Sequence, residues 1–188
     1  MQTPIPEKTL VVVGHPDLER SRVHRAWTLA LREAGHVTVH VLAERYSHGA
    51  PVDVAFEQAL MRAHDRIILQ FPFYWYSSPP RMKEWLDKVL QRGWAYGPGG
   101  RALSGKQLGV AISTGSSAED YRHEGRYGRT MEDLTAPYEV LAIHVGMDYL
   151  PGFFLNDVRK VTDEQLYVHC AAYCKHVVAA HAPHRRRA

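Results

Sequence analysis

The segment Gln70–Gly97, QFPFYWYSSPPRMKEWLDKVLQRGWAYG, decides the fold. It begins where the run Arg66-Ile67-Ile68-Leu69 ends, then passes through Pro72, the aromatics Phe73, Tyr74, Trp75 and Tyr76, and Ser77-Ser78-Pro79-Pro80. Met82, Trp85, Leu86, Val89 and Leu90 follow with the spacing of one apolar helix face. Ser78 is the expected N-cap, and Pro79 and Pro80 suit a first helical turn, where a missing N–H costs nothing. The aromatics therefore lie on a turn between a buried strand and a helix. Any one of them belongs most often in a core. A strand, however, shows only alternate residues to each face, so four in a row cannot share one packing surface. Some must face a partner or a flat ligand, and such a turn suits a planar heteroaromatic ring.

Outward from this segment the chain alternates strand and helix. Thr9–Val13 is a β-branched run of the kind buried on both faces of a parallel sheet. It stops at Gly14-His15-Pro16, and a helix is expected from Ser21 to Ala34, closed by Gly35. Val37–Leu42 reads as a second strand, a polar turn with Gly49 and Pro51 follows, and Val54–Ala63 reads as a helix. Asp65–Phe71 is the third strand. Beyond the central helix, Gln91–Gly105 reads as loop and Gln107–Ser113 as the fourth strand. Thr114–Arg129 carries Gly115, Gly125 and Gly128 with little periodicity, and loops this long in compact domains are usually functional. A helix at Met131–Val145, a fifth strand at Met147–Leu155 interrupted at Pro151-Gly152, and a helix opening at Thr162 and running to Ala180 complete the pattern. The alternation implies a doubly wound α/β fold, a five-stranded parallel sheet with helices on both faces. The flavodoxin-like order 2-1-3-4-5 is the natural expectation. That order puts His15–His24, Pro72–Tyr76 and Ser113–Ser116 on one rim.

At 188 residues, with 45% hydrophobic and 23% charged content, the chain fits one soluble globular domain. We expect a flexible leader at 1–7, a single domain at 8–181 and a basic, disordered tail at 182–188. The net charge of +3 is modest, and the one basic block, His184–Arg187, lies in that tail, so a nucleic-acid face is not expected. No stretch approaches the roughly 20 apolar residues of a membrane span, and no signal peptide is legible, which points to a cytoplasmic protein. Cys170 and Cys174 are the only cysteines, four apart on a helix, and read as buried structural thiols; a metal site with His169 or His176 is the weaker alternative. No metal is expected.

The loops differ from common nucleotide motifs. A glycine-rich fingerprint is absent after the first strand. Gly100–Lys106 resembles a phosphate loop but is followed by Gln107 and precedes a strand instead of following one. Another anion site is available where the first helix begins. There the Ser21 hydroxyl and the N–H groups of Ser21, Arg22, Val23 and His24 can surround a phosphate, with charge from His15, Arg22 and His24. A helix end contributes only about 0.3–1 kcal/mol toward an anion, whereas micromolar binding needs about 8 kcal/mol. Most of the affinity must therefore come from a ring held by Pro72, Phe73, Tyr74, Trp75 and Tyr76 and by Ser113, Thr114, Gly115 and Ser116. A mononucleotide with a large flat ring satisfies all three loops.

These residues carry a family resemblance. His15-Pro16 with Ser21, the Phe71–Pro80 run, and Lys83, Trp85, Asp87, Lys88, Val89 and Leu90 are its first part. Gly93–Gly97, Leu103 with Gly105-Lys106, and Ser113-Thr114-Gly115 complete it. Together they resemble the flavodoxin-like NAD(P)H:quinone oxidoreductases, in particular the short bacterial ancillary subunits of glutathione-gated potassium-efflux systems. The resemblance implies FMN, with FAD the alternative, bound by the three loops. It implies NADPH or NADH as reductant, a quinone as acceptor, ping-pong two-electron transfer, and a homodimer in which Trp94 and Tyr96 reach the partner. It also raises a regulatory subunit docked on a transporter's regulatory domain, which would place the protein peripheral to the inner membrane, and an azo- or nitroreductase.

In the larger members a tyrosine and a histidine of the loop after the fourth strand face the substrate. By resemblance the tyrosine matches Tyr121, while the histidine position holds Tyr127. This is a departure, because tyrosine stays a neutral donor at pH 7 where histidine titrates. His123 lies nearby as a possible substitute.

Overall fold

The computed structural model describes residues 8–181, so the leader and tail expected at 1–7 and 182–188 lie outside the described residues. Six strands form one sheet: β1 (Thr9–Val13), β2 (Thr38–Val41), β3 (Arg66–Pro72), β4 (Gln107–Ser113), β5 (Asp148–Tyr149) and β6 (Phe153–Leu155). The order is β2-β1-β3-β4-β5, every pairing is parallel, and β6 also pairs with β4. The expected fifth strand is thus present but divided. Pro151 has no N–H to give to a ladder, so pairing lapses after Tyr149 and resumes at Phe153 opposite Ala111.

Helices cover both faces: α1 (Arg22–Ala34), α2 (Leu42–Arg45), α3 (Val54–Arg62), α4 (Pro80–Val89), α5 (Met131–Val145) and α6 (Asp163–His176). On one face Trp27 and Leu31 of α1 and Leu166, Cys170 and Tyr173 of α6 pack on Val11, Val13 and Ile68. On the other, Met61, Met82, Trp85, Val89, Tyr138 and Ala142 cover Leu10, Val12, Ile67, Leu69 and Ile112. Every residue of β1, β3 and β4 is buried, as strands covered on both faces must be. Each fully buried Leu, Ile or Val here is worth about 1.5–3 kcal/mol of transfer free energy. Cys170 is buried and Cys174 half-buried, both as free thiols, and burial pushes the Cys170 thiol up to about 11.

Most helix ends follow from the sequence, but α6 stops at His176 and not at Ala180, and one N-cap differs. Ser21 accepts from the His24 N–H, Gly35 closes α1 in the left-handed region, and Thr130 and Thr162 form capping boxes with Asp133 and Gln165. Ser78 does not cap α4. The N-cap is Pro79, with no side-chain hydrogen bond. A residue before proline is pushed out of the helical region, so Pro79, ahead of Pro80, stays extended and the helix cannot begin earlier.

The turn expected between β2 and Pro51 is more ordered than its polar sequence suggests, containing α2 and a single 3-10 turn at Ser47–Gly49. A buried carboxylate organises it. Glu57 on α3 is fully buried and accepts hydrogen bonds from His40 Nε2 at 2.8 Å and from the Tyr46 hydroxyl. Arg81 on α4 donates to the carbonyls of Tyr46 and Ala50. Burial pushes the Glu57 carboxyl up, but the hydrogen bonds from His40 and Tyr46 outweigh it and hold the group below the usual carboxylate range. The stability this adds is present above the unfolded pKa of about 4.3 and is lost as pH falls through the lower folded value. Glu57→Ala strands two buried donors and should cost about 3–5 kcal/mol in urea denaturation at pH 7. The gap from wild type should narrow as pH falls below about 4; a gap that stays constant into acid would assign the loss to packing alone.

Candidate functional site

The strand order brings the ends of β1, β3 and β4 to one rim, with Pro72 directly opposite Ser113. Gly14 leaves β1 against α4, where an added Cβ would lie 2.8 Å from the Met82 Cβ, so only glycine allows this approach. His15 Nδ1 accepts from the Asp17 N–H, and burial lowers its pKa although Asp17 opposes the shift.

The first loop supplies backbone donors instead of charge. The Ser21 N–H goes to the Leu18 carbonyl and the His24 N–H to the Ser21 hydroxyl. That leaves the N–H groups of Arg22 and Val23 without a partner among the described residues. The Arg22 side chain, expected to add charge, is committed elsewhere: its guanidinium donates to Asp163 Oδ1 and to the Val161 carbonyl. An acidic first turn of α6 lies within its reach, and that was not legible locally. His24 is also no cation. It is buried, with Nε2 2.8 Å from the Ser113 hydroxyl, and burial with His15 beside it pushes its pKa down to about 3. Val23 itself is buried.

In the second loop the expectation that four aromatics cannot all be buried holds. Phe73 is half-buried, whereas Tyr74, Trp75 and Tyr76 are 45%, 93% and 47% exposed. Tyr74 and Ser77 exchange both backbone hydrogen bonds at 3.0 Å, closing a tight turn around Trp75 and Tyr76. These central residues have φ of 48° and 60°. Two positive φ values mark the turn type that favours Asn or Gly, so a Trp-Tyr pair stores strain there.

The third loop packs onto the second. Phe73 N–H donates to the Ser113 carbonyl, the Tyr127 hydroxyl lies 2.8 Å from Ser116 Oγ, and the Tyr127 ring meets Tyr76 edge-on at 5.5 Å. Tyr121 is buried against Tyr127 with centroids 5.1 Å apart, and its hydroxyl also meets the Thr114 and Ser116 side chains of the rim turn. The Tyr127 hydroxyl raises the pKa of Tyr76, and burial raises that of Tyr121. His123 turns away, with Nδ1 3.6 Å from Asp133 Oδ2. Trp94 packs against the core, and Tyr96 meets His144 of α5 at 4.9 Å.

A fourth segment, absent from the sequence expectation, joins this rim. Thr114 N–H donates to the Leu155 carbonyl, Asp157 N–H to Ser116 and Val158 N–H to Thr114, while Thr114 Oγ1 donates to Asn156 Oδ1. This brings Arg159 to Gly115, where its Nη2 is the nearest atom to a built Cβ, at 3.9 Å. The only signal in the sequence was the Pro151-Gly152 break, which displaces β6 toward the rim.

Unpaired N–H groups at a helix start, uncovered aromatic side chains and an open Gly115 backbone are what a ring-bearing phosphate ester requires. The model of the flavodoxin-like fold family matches residues 7–177, and the chain belongs to that family. Among its relatives is YdeQ of Bacillus subtilis, named as an uncharacterised NAD(P)H oxidoreductase, 44% identical over 90% of this chain and 86% of that one. Another is the glutathione-regulated potassium-efflux system ancillary protein KefG of Salmonella paratyphi B, 38% identical over 90% and 92%. Two crystal structures superpose closely. General stress protein 14 of Treponema denticola in complex with FMN has a TM-score of 0.86 and 37% identity, covering 90% of this chain and 97% of its own. An NADPH-quinone reductase of P. pentosaceus has a TM-score of 0.82 and 33% identity, with the same coverage. No helix among the described residues is long and apolar enough to cross a membrane.

The strained turn gives a test with two opposed readouts. Trp75→Gly removes an exposed side chain and relieves a left-handed conformation, so the unliganded protein should keep its stability or gain up to about 1 kcal/mol. Binding of a flat-ringed phosphate ester at this rim should weaken in the same variant. A loss of thermal stability without ligand would mean that the Trp75 ring is held by packing instead.

Proposed function

We propose that this protein is a flavin-dependent NAD(P)H:quinone oxidoreductase that uses FMN. The observation that carries the proposal is the joining of unpaired first-turn N–H groups on α1 to an exposed aromatic turn and the Ser113–Ser116 turn on one rim. A 37% identical relative crystallised with FMN adds support.

In this reading the phosphate rests at His15 and Ser21–His24, held by the amides of Arg22 and Val23 and not by side-chain cations. Pro72–Tyr76 and Ser113–Ser116 flank the ring. The flavin supplies hydride chemistry; the protein binds it, orients it and keeps neutral donors beside it. Tyr127, fixed by Ser116, presents its hydroxyl to the acceptor, and Tyr121 buttresses it. Transfer is ping-pong: NADPH or NADH reduces and leaves, and a quinone then takes both electrons in the same space. A homodimer belongs to the reading, with exposed Val140 and Ile143 of α5 beside Tyr96 and His144 as the apolar face available for it. A cytoplasmic location belongs to it as well.

The KefG likeness favours a second role, a flavoprotein subunit that docks on a transporter's regulatory domain with little turnover. One experiment separates the two. Protein reconstituted with FMN or FAD receives NADPH or NADH anaerobically while the visible flavin band is followed. Bleaching that a quinone reverses is expected, with FMN preferred. Flavin bound tightly but never bleached would favour the regulatory role, and failure to bind either flavin would refute the proposal.

The tyrosine at position 127 makes a further prediction. Flavin reduction should show no ionisation near pH 6.5, and Tyr127→His should introduce one. A variant whose pH profile matches wild type would argue against Tyr127 at the acceptor.

A further inference from the structure

Hydride transfer creates an electrostatic problem at this rim. A hydride carries two electrons and one proton from the nicotinamide, which departs as the oxidised cation, so the ring that receives it gains one negative charge. Hydride transfer from the ring to a quinone later removes that charge. A cation near the ring lowers the cost of the intermediate state.

The residues expected to be positive there are not. His24 is buried and neutral, and the pKa of His15 is lowered by burial. The charge of Arg22 is spent on Asp163, and His123 faces Asp133. Tyr76, Tyr121 and Tyr127 bring no charge. Lys160 pairs with Asp157 at 2.8 Å. Among the described residues near the rim, Arg126, Arg129 and Arg159 remain without an ion pair, and Arg129 donates to the Gly128 carbonyl at the end of the third loop. Arg126 lies over the Tyr127 ring at 5.6 Å and its charge is felt by Tyr76, so it belongs to the tyrosine cluster. Arg159 stands at Gly115, in the turn that flanks the ring, and its backbone is fixed there by the ladder from Leu155 to Val158. The nearby acids are engaged: Asp120 accepts from Ser117, and Asp157 from Lys160.

We infer that Arg159 is the cation that balances the charge a bound flavin takes up on reduction, and so tunes its potential. This rests on the flavin reading above. The guanidinium acts on the reduced state more than on the oxidised one, because only the former is an anion. It is solvent-facing, so the effect is moderate and salt-sensitive.

The test is the midpoint potential of FMN bound to wild type, Arg159→Gln and Arg159→Lys, with the dissociation constant of oxidised FMN measured alongside. In Arg159→Gln the preference for reduced over oxidised FMN should fall about tenfold, a shift of about 30 mV to more negative potential for a two-electron couple. Affinity for oxidised FMN should change little, Arg159→Lys should recover most of the potential, and added salt should shrink the difference. An unchanged potential in Arg159→Gln, or equal weakening of both redox states, would overturn the inference and leave the flavin reading intact. Wild-type protein that binds no flavin, or whose flavin NAD(P)H never bleaches, would instead overturn the reading itself.

Discussion

The pairing of β3 with β4 holds the site together. Seven residues run in register from Arg66 opposite Gln107 to Pro72 opposite Ser113, and one further bond, from Phe73 N–H to Ser113, carries the alignment past the strand ends. Neighbouring strands lie about 4.8 Å apart, so the aromatic turn and the Ser113–Ser116 turn are fixed at that separation before any ligand arrives. Both strands are buried on both faces along their whole length, and shifting one by a residue would send every Ile, Leu and Val side chain into the opposite helix layer and disrupt the packing of both. Core burial thus enforces the geometry of a surface site. The strain at Trp75 and Tyr76 is sustained by the same frame.

The rim is electrically quieter than its composition suggests. Histidines and an arginine that cluster in the sequence near the first loop are neutralised by burial or paired across the fold. What remains for an anion is a pair of backbone amides, which act at a fixed position and need no desolvation of a charged side chain. The tyrosines of the third loop extend this pattern, since each is a donor at neutral pH without being a charge. Binding of the phosphate end should accordingly owe less to simple Coulomb attraction than a basic sequence would imply.

The architecture was legible because β-branched runs, helical spacing and capping residues all pointed the same way, and local signals sufficed for Thr9–Val13, Ser21 and Gly35. The site was legible as loops but not as side-chain commitments. Nothing near Arg22 reveals that Asp163, far along the chain, will take its charge, and nothing near His24 reveals complete burial. Ser78 misled because the proline rule acts on the residue before each proline, and two prolines in succession move the helix start by one. The Asn156–Arg159 segment was hidden by the division of the last strand, whose two halves pair with different stretches of β4.

That division also affects the rest of the surface. A parallel sheet ends in two strands whose outer N–H and C=O groups are free, and long flat edges invite another chain to add to them. Here one edge is made of a two-residue and a three-residue strand separated by Pro151-Gly152, which offers no continuous template. The break that steers a loop to the rim therefore also makes this edge of the sheet a poor seed for strand-by-strand growth.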